Sequence, residues 1–305
     1  MDVFDVTILG CSSAIPTKKH YASSQIVRKN GSLYMVDCAE GAQIQFFRMG
    51  FRPSHLNHIF ISHAHGDHCL GLIGLLSTLS LSNRNADINI YAPKEFESML
   101  LSQIEFFMPH ASFKVVFHAI DFTEEKTIMD DENIYVNAFP LDHRVPCYGF
   151  LFCEKEKGRR IDKDSIARYQ IPIEAMVSIK AGNDFVCSDG KIIPNSELTI
   201  PALPPRKYAY CSDTKPVLRL TETLQGVNLL YHDSTYIEAD EKLATETGHS
   251  TACQAASFAK QCNAKKLILG HFSSRYKDES IILNEALKIF PASVLANEGL
   301  SFTID

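Results

Sequence analysis

The 305-residue sequence has little of what marks fibrous, disordered or membrane proteins. Its 15 glycines and 13 prolines are too few for a collagen-like or low-complexity chain. Positive charge is not in excess either, because 30 basic residues face 36 acidic ones, and this excludes a protein that coats nucleic acid through a bulk positive field. The longest uncharged apolar stretch, residues 69–83, is shorter than the about 20 residues that cross a bilayer. A hydrophobic fraction of 45% therefore predicts a folded chain outside the membrane.

The cysteines do not have the spacing of a disulfide framework or a redox motif. There are nine of them, an odd number, and no C-x-x-C pair occurs. We therefore expect buried, reduced thiols. Residues 1–5 also lack the basic and apolar stretches of a secretory signal. Together these features predict a cytoplasmic protein.

Turn and periodicity signals predict one domain with an insertion, because no internal repeat or Gly/Ser linker divides residues 1–305. Antiparallel strands are predicted first, and strands then alternate with helices in two halves, which together predict an α/β fold of four layers, an αββα sandwich. The predicted strands cover residues 3–9, 24–28, 32–36, 59–61, 88–91, 114–118, 134–139, 147–153, 208–211, 227–231 and 266–269. The predicted helices cover residues 70–81, 93–107 and 251–262, with one more after Pro216.

Residues 154–206 fit neither half and are predicted to form a protruding insertion. The segment begins with a basic run and continues with turn sequences such as Ser188-Asp189-Gly190. A charge run is most often a solvated loop, so this composition alone does not establish binding. The basic residues of interest are Lys155, Lys157, Arg159 and Arg160.

A polar loop after the predicted strand 59–61 carries an H-x-H-x-D-H motif. Its four potential ligands, which fall within six positions, are His63, His65, Asp67 and His68. Imidazole nitrogen and carboxylate oxygen are ligands that Zn²⁺ prefers where one position stays open to water, although Mn²⁺ or another divalent metal also accepts them. A single histidine in a loop is usually a solvated residue, but the four together predict a dinuclear site. Gly66 within the motif is expected to have positive φ.

Three further potential ligands each follow a predicted strand. They are His143, Asp213 and His271. Any one of them can be an ordinary polar residue that ends a strand. The same placement three times predicts that the sheet delivers these side chains to one rim, where they complete the metal site.

This set of residues resembles the metallo-β-lactamase superfamily, whose signature is the same loop followed by spaced His, Asp and His ligands. The resemblance implies two Zn²⁺ per subunit, with Asp213 bridging them together with a water or hydroxide. It assigns to the first ion His63, His65 and His143, and to the second ion Asp67, His68 and His271. That superfamily includes lactamases, thioesterases, lactonases and nucleases, so the metal loop alone does not select a substrate.

Further segments are similar to the ribonuclease Z family and occur in that family's order. They read GCSSAIPT at 10–17, CSDT at 211–214, HDSTY at 232–236, GHST at 248–251 and GHFSSRY at 270–276. The resemblance implies a homodimeric endoribonuclease that removes the 3′ trailer from precursor tRNA by attack of a metal-held hydroxide. The products would be tRNA with a 3′-hydroxyl and a trailer with a 5′-phosphate. The insertion at 154–206 lies where that family has a tRNA-binding arm.

The same resemblance implies roles for residues beyond the ligands. Asp67 is expected to accept a proton from the nucleophilic water, and His249 to donate one to the leaving oxygen or to hold the phosphate, with Asp233 as a possible orienting partner. The alternative for His249 is a residue at the start of a helix, next to an N-capping Ser250. Phosphate contacts are expected from Arg275 and from the basic run of the insertion.

The sequence departs from the family at several points. Asp233 stands where many relatives have Glu, residues 18–21 read KKHY in place of a basic, Asn-containing stretch, and the Gly-rich arm motif is not plain at 176–182. Two other functions therefore stay open. One is hydrolysis of a small phosphodiester or another small molecule on the same fold, and the other is a metal-binding scaffold that recognises RNA without cutting it.

Overall fold

The structure is a computed structural model that describes residues 2–82 and 84–305, so that Met1 of the segment 1–5 and Asn83 of the apolar stretch 69–83 lie outside the described residues. Its strands are β1 Phe4–Gly10, β2 Ser24–Lys29, β3 Ser32–Cys38, β4 Leu56–Phe60, β5 Ile88–Pro93, β6 Val115–Ile120, β7 Lys126–Asp130, β8 Ile134–Pro140, β9 Tyr148–Glu154, β10 Arg160–Ile161, β11 Phe185–Val186, β12 Ile192–Ile193, β13 Thr199–Ile200, β14 Lys207–Cys211, β15 Leu229–Asp233, β16 Lys266–Gly270, β17 Ser293–Leu295 and β18 Ser301–Thr303. Its α-helices are α1 Ala42–Arg48, α2 Gly66–Cys69, α3 Leu72–Leu81, α4 Glu97–Phe107, α5 Lys163–Arg168, α6 Ile173–Lys180, α7 Asn195–Leu198, α8 Glu241–Thr247, α9 Ala252–Gln261 and α10 Ser280–Leu287.

Two seven-stranded sheets form the main unit, residues 2–153 and 206–305. The first has the order β18-β1-β2-β3-β4-β5-β6, and the second β17-β16-β15-β14-β9-β8-β7. Strands β3 to β6 run parallel to one another, and so do β14 to β17. Because the carboxyl ends of parallel strands meet at one edge, each sheet brings several loops to the same rim.

Successive side chains of a strand point to opposite faces of the sheet, and this alternation gives the first sheet a separate core on each face. In β2 and β3, Ile26 and Met35 belong to a core shared with α1 and α3, whereas Val27 and Tyr34 belong to a core shared with the second sheet. The second sheet has α9 and α10 packed on its other face through residues such as Phe258 and Ile282. The predicted αββα sandwich is thus confirmed.

Most of the predicted strands and helices occur within a few residues of their expected bounds, and the exceptions have local causes. The predicted helix 93–107 begins only at Glu97, because Pro93 ends β5 and a 3₁₀ turn, Lys94–Phe96, follows it. The helix predicted after Pro216 is only a 3₁₀ turn, Leu218–Thr221. Strand β18 was not predicted, since its three residues gain their strand partners only from β1 at the other end of the chain.

The insertion is a second compact unit, residues 154–205. It contains α5 to α7 and two short antiparallel pairs, β10 with β13 and β11 with β12. A small core of its own is formed by Ile171, Ile179, Ile193 and Leu198. Its sequence predicts loops, but these four buried side chains and the partly buried ones packed against them form a core.

The cysteines are reduced, as their number and spacing predict. All nine cysteines are free thiols, and all but Cys187 and Cys253 are buried. Among residues 2–82 and 84–305, no helix has the length and apolar character that a bilayer crossing requires.

Candidate metal centre

The H-x-H-x-D-H motif lies in the loop after β4 and in the start of α2. His63 is the third residue after the end of the strand at Phe60, and the one-turn helix α2, Gly66–Cys69, contains Asp67 and His68. The structure brings these residues together with His143 after β8, Asp213 after β14 and His271 after β16. All seven predicted ligands therefore lie at one rim of the main unit.

Asp213 lies at the middle of this set. One carboxylate oxygen, Oδ2, is 3.6 Å from His63 Nε2 and 3.9 Å from His143 Nε2. The other, Oδ1, is 3.1 Å from both His68 Nε2 and His271 Nε2. A single carboxylate thus faces two separate histidine groups, as a bridging ligand must.

Hydrogen bonds fix the ring nitrogen that each of three histidines presents. His143 Nδ1 donates to the Gly248 carbonyl at 2.9 Å, and His271 Nδ1 lies 2.9 Å from Thr235 Oγ1. His68 Nδ1 lies 2.7 Å from Asp37 Oδ2. Each bond places the proton on Nδ1 and leaves Nε2 with a lone pair. These three Nε2 atoms are buried and have no hydrogen-bond partner within the described part of the chain.

The two histidines that begin the motif, His63 and His65, have one ring nitrogen each within 2.9 Å of the other. His63 Nε2 is 2.9 Å from His65 Nδ1, while His63 Nδ1 is 3.0 Å from Ser62 Oγ. Two ring lone pairs at this distance repel each other unless a proton or a cation lies between them. A metal ion bound by both atoms satisfies this requirement.

The donor sets fit divalent cations. The ligand atoms within each set lie within 4.8 Å of one another. Four nitrogen and oxygen ligands about 2.0–2.2 Å from one ion are separated by about 3.3 Å in a tetrahedron, which is the range seen around Asp213. The first set is His63, His65, His143 and Asp213, and the second is Asp67, His68, Asp213 and His271.

The pKa values show how strongly the histidines and carboxylates interact. Burial alone would raise the pKa of Asp213, but His271, His68 and His63 outweigh it and hold that pKa well below its usual value. Burial would likewise lower the pKa of His68, yet Asp213 and Asp37 raise it well above normal. A proton on His68 thus takes the place that a cation occupies when metal binds, and metal binding is expected to release protons.

Asp37, at the end of β3, is a site residue that sequence reasoning missed. It is fully buried, and its carboxylate accepts hydrogen bonds from the Ser62 amide at 2.7 Å, the Ser62 hydroxyl at 2.9 Å and Tyr210 Oη at 2.7 Å, besides its contact with His68. A buried Asp 25 residues before Ser62 carries no spacing signal that separates it from any other residue at the end of a strand.

Strained backbone marks the centre. Asp37, Asp213 and His271 have φ of 56°, 55° and 62°, in the left-handed region that non-glycine residues rarely adopt. The expectation for Gly66 was wrong, because Gly66 is absent from the positive-φ residues and lies in α2. The strain thus falls on two ligands and on Asp37, and not on the glycine of the motif.

His249 and Asp233 form a hydrogen-bonded pair beside the ligands. His249 Nδ1 is 2.8 Å from Asp233 Oδ2, and the His249 ring centroid is 5.2 Å from those of His143 and His271. Asp233 raises the pKa of His249 against the opposing effect of burial. Since Asp233 also accepts bonds from Thr214 and Thr235, it orients His249 and has little capacity left for a metal. The N-cap of α9 is Thr251, so Ser250 is not the capping residue.

The residues predicted to contact phosphate lie in two places. Arg275 follows the last ligand loop, where its Nη1 is 3.5 Å from Asp240 Oδ1 and its guanidinium lies over Tyr236. In the insertion, Lys155, Lys157 and Arg160 are exposed, whereas the Arg159 guanidinium bonds Thr199 and holds β13. The insertion and the main unit are separate compact units.

Known proteins match this chain over different lengths. Residues 4–170 match the family model described as Anti-Pycsar protein Apyc1, a match that includes the H-x-H-x-D-H motif and ends before Asp213. The ribonuclease Z of Bacteroides thetaiotaomicron is 47% identical over 305 residues, which are 100% of this chain and 96% of that protein. The ribonuclease Z of Bacteroides fragilis strain YCH46 is 45% identical over 304 residues, 100% of both chains.

The chain belongs to the ribonuclease Z family. Its first half also falls within the family of the Apyc1 model. Among solved structures, the short form of human tRNase Z superposes on this chain with a TM-score of 0.74 and 27% identity, covering 99% of each chain. YhfI of Bacillus subtilis, a metallo-β-lactamase fold protein, has a TM-score of 0.69 at 17% identity and covers 99% of this chain and 100% of its own. The predicted metallo-β-lactamase fold and family are therefore confirmed.

Proposed function

We propose that this member of the ribonuclease Z family binds two Zn²⁺ ions per subunit at the candidate metal centre and removes the 3′ trailer from precursor tRNA there. Membership of the family makes the chain an endoribonuclease of tRNA 3′ processing, and its His/Asp groups are those of a divalent-metal enzyme. The observation that carries the proposal is the Asp213 carboxylate, whose two oxygens face two histidine groups. The native metal is proposed as Zn²⁺ from the donor types, with Mn²⁺ as the other metal to assay.

Paired divalent cations about 3.5–4 Å apart would lower the pKa of a shared water from about 15.7 towards 7 and neutralise charge on the scissile phosphate. Asp67 is proposed to accept a proton from that water and to orient it. The Ala14 amide donates to Asp67 Oδ2 at 2.7 Å, and His271 and His68 overcome the effect of burial and lower the pKa of Asp67. The carboxylate is therefore deprotonated and fixed in direction at neutral pH.

His249 is proposed to protonate the leaving 3′ oxygen of the trailer bond. Asp233 holds Nδ1, which leaves Nε2 as the nitrogen that meets the substrate, and it stabilises the protonated imidazole. Because water is the nucleophile, the reaction needs no neighbouring 2′-hydroxyl. The products are then tRNA with a 3′-hydroxyl and a trailer with a 5′-phosphate.

The insertion, residues 154–205, is proposed as the tRNA-binding arm. Three exposed cations near its start, Lys155, Lys157 and Arg160, support this role because cationic side chains bind RNA phosphates with release of counterions. Its own apolar core lets it present these charges on a folded surface. Arg275 is a further proposed phosphate contact, although it already pairs with Asp240.

The proposal includes a homodimer and a cytoplasmic location. Nine free thiols support a reducing compartment, and the dimer follows from the family resemblance. Light scattering of the purified protein measures the oligomeric state directly, and a monomer that cleaves precursor tRNA at full rate would contradict the dimer.

The experiment compares precursor tRNA with bis(p-nitrophenyl) phosphate as substrates for the zinc-loaded chain and for a variant without the insertion. Cys153 pairs with Lys207 across the antiparallel strands β9 and β14, so a short Asn-Gly turn can replace residues 155–205 and close a hairpin. We expect the full chain to cleave precursor tRNA, and the shortened chain to lose tRNA cleavage while it still hydrolyses the small ester. Hydrolysis of the small ester alone by the full chain would reject the ribonuclease function, and equal loss of both activities would reject the arm.

A further inference from the structure

Arg144 follows the ligand His143 directly, in the loop between β8 and β9, and is exposed. Backbone bonds hold this loop in place. The Lys215 amide donates to the Asp142 carbonyl at 3.0 Å, and the Leu141 amide to the Cys147 carbonyl at 2.9 Å. The backbone of Arg144 is therefore fixed beside the metal centre.

The side chain of Arg144 runs towards His249. Its Cγ lies 3.6 Å from the position that a Cβ would take on Gly248, the residue before His249. Arg144 thus follows a ligand along the chain, and its side chain lies beside the residue that precedes the proposed proton donor.

No carboxylate neutralises this guanidinium. Within residues 2–82 and 84–305 Arg144 makes no side-chain hydrogen bond or ion pair, whereas Arg28 pairs with Asp5 and Arg275 with Asp240. An arginine fork without a partner, at the mouth of a site for a polyanion, offers two parallel N–H donors to a phosphate.

We propose that Arg144 is a positioning residue that binds a phosphate of the RNA substrate beside the metal centre. The proposal rests on the proposed ribonuclease function. Charge-assisted hydrogen bonds contribute about 1.5–3 kcal/mol, which corresponds to a loss of about 10- to 100-fold in kcat/KM when the guanidinium is removed. Arg144 is not a metal ligand, so metal binding should not depend on it.

The test uses zinc-loaded R144A and R144K with R52A as the matched control. Arg52 is also exposed and lacks a side-chain partner among the described residues, but it precedes β4, at the opposite end of that strand from the metal loop. We expect R144A to lower kcat/KM for precursor tRNA by about 10- to 100-fold and to reduce the slope of log affinity against log salt by about one. R144K should recover part of the loss because it restores the charge without the fork, and R52A should match the wild type.

Bis(p-nitrophenyl) phosphate, which has one phosphate, separates the two places where the contact can lie. If R144A lowers kcat/KM equally for this ester and for tRNA, Arg144 contacts the scissile phosphate. If R144A lowers kcat/KM for tRNA only, Arg144 contacts a neighbouring phosphate. Wild-type activity of R144A on tRNA, an equal loss in R52A, or a fall in the zinc content of R144A would overturn the proposal. If the wild-type chain itself does not cleave precursor tRNA, the ribonuclease function fails first, and this result is distinct from each of those.

Discussion

Asp37 Oδ2 lies 2.7 Å from His68 Nδ1, so a carboxylate outside both candidate ligand sets determines which nitrogen His68 turns towards the candidate metal centre. The other donors to Asp37 come from Ser62 and Tyr210, so that both of its carboxylate oxygens accept hydrogen bonds. The contact therefore joins β3, the metal loop and β14 at one buried point. Such outer contacts around a metal fix the ring orientation and raise the basicity of the ligand.

Asp37→Asn should weaken metal binding without unfolding the chain. Asn tolerates the positive φ at this position and keeps the shape of the side chain, but its amide NH₂ cannot accept the proton of His68 or of Ser62. We expect metal affinity to fall by about 10- to 100-fold. Competition with a chromogenic chelator measures this, and Asp131→Asn, which removes a carboxylate bonded to Tyr34, serves as the control. Unchanged affinity in Asp37→Asn would show that His68 needs no orienting partner.

The sequence predicted which side chains come together at the rim, because their order along the chain follows the strand ends. His143, Asp213 and His271 each come within a few residues after a buried strand, and parallel strands bring such positions to one rim. Asp37 also lies at the end of a strand, but its carboxylate bonds the His68 ring and belongs to neither candidate ligand set. Local spacing in the sequence does not distinguish such a residue from a candidate ligand. The short strands of the insertion and β18 were not predictable for a similar reason, since their pairing is set by residues far away in sequence.

Asp213→Ala should abolish binding at both metal positions, because its two oxygens serve different histidine groups. Metal analysis should show little zinc in the variant. Zinc added to the metal-free wild type should stabilise it by about 2.7 kcal/mol for each bound ion at a hundred times Kd, whereas zinc should stabilise the variant far less. Asp121→Ala, which removes an exposed carboxylate paired with Lys94, is the control. One ion retained at full affinity by Asp213→Ala would contradict a bridging role.

His249→Ala should lower kcat on precursor tRNA by about 100- to 10,000-fold while zinc content stays at the wild-type level. The reason is that His249 is bonded to Asp233 and is outside both ligand sets. Asp233→Asn is expected to act through His249, so the double variant should be hardly slower than His249→Ala alone. Additive losses, or zinc lost together with His249, would argue that the pair has separate roles or a structural one.

Removing the exposed cations of the insertion should weaken tRNA binding without affecting chemistry. For the triple variant Lys155→Ala, Lys157→Ala, Arg160→Ala, we expect a higher KM for tRNA and a salt slope reduced by up to about three. Arg159 is left intact because it holds Thr199 within the insertion. A control triple with the same change in charge replaces Lys242, Lys260 and Lys266, which are exposed on the main unit. Equal effects of the two triples would show that only net charge matters.

Gly248→Ala should damage the first metal position selectively. Gly248 has φ of 82°, and a Cβ there would lie 2.8 Å from His143 Nδ1, against the bond between that nitrogen and the Gly248 carbonyl. Gly226 offers a matched control, since it has φ of 66° and open space within 4 Å of its Cβ position. Each alanine should lower the free energy of unfolding by about 1–2 kcal/mol through backbone strain alone.

Only Gly248→Ala should also lower the affinity of the ion held by His63, His65 and His143, because only there does the methyl group push a ligand away. Stepwise zinc titration of the metal-free proteins resolves the two positions, and urea unfolding gives the stability of each variant. Equal zinc affinities in the two alanine variants would mean that the carbonyl of Gly248 does not orient His143, and that the tight contact relaxes without moving the ring.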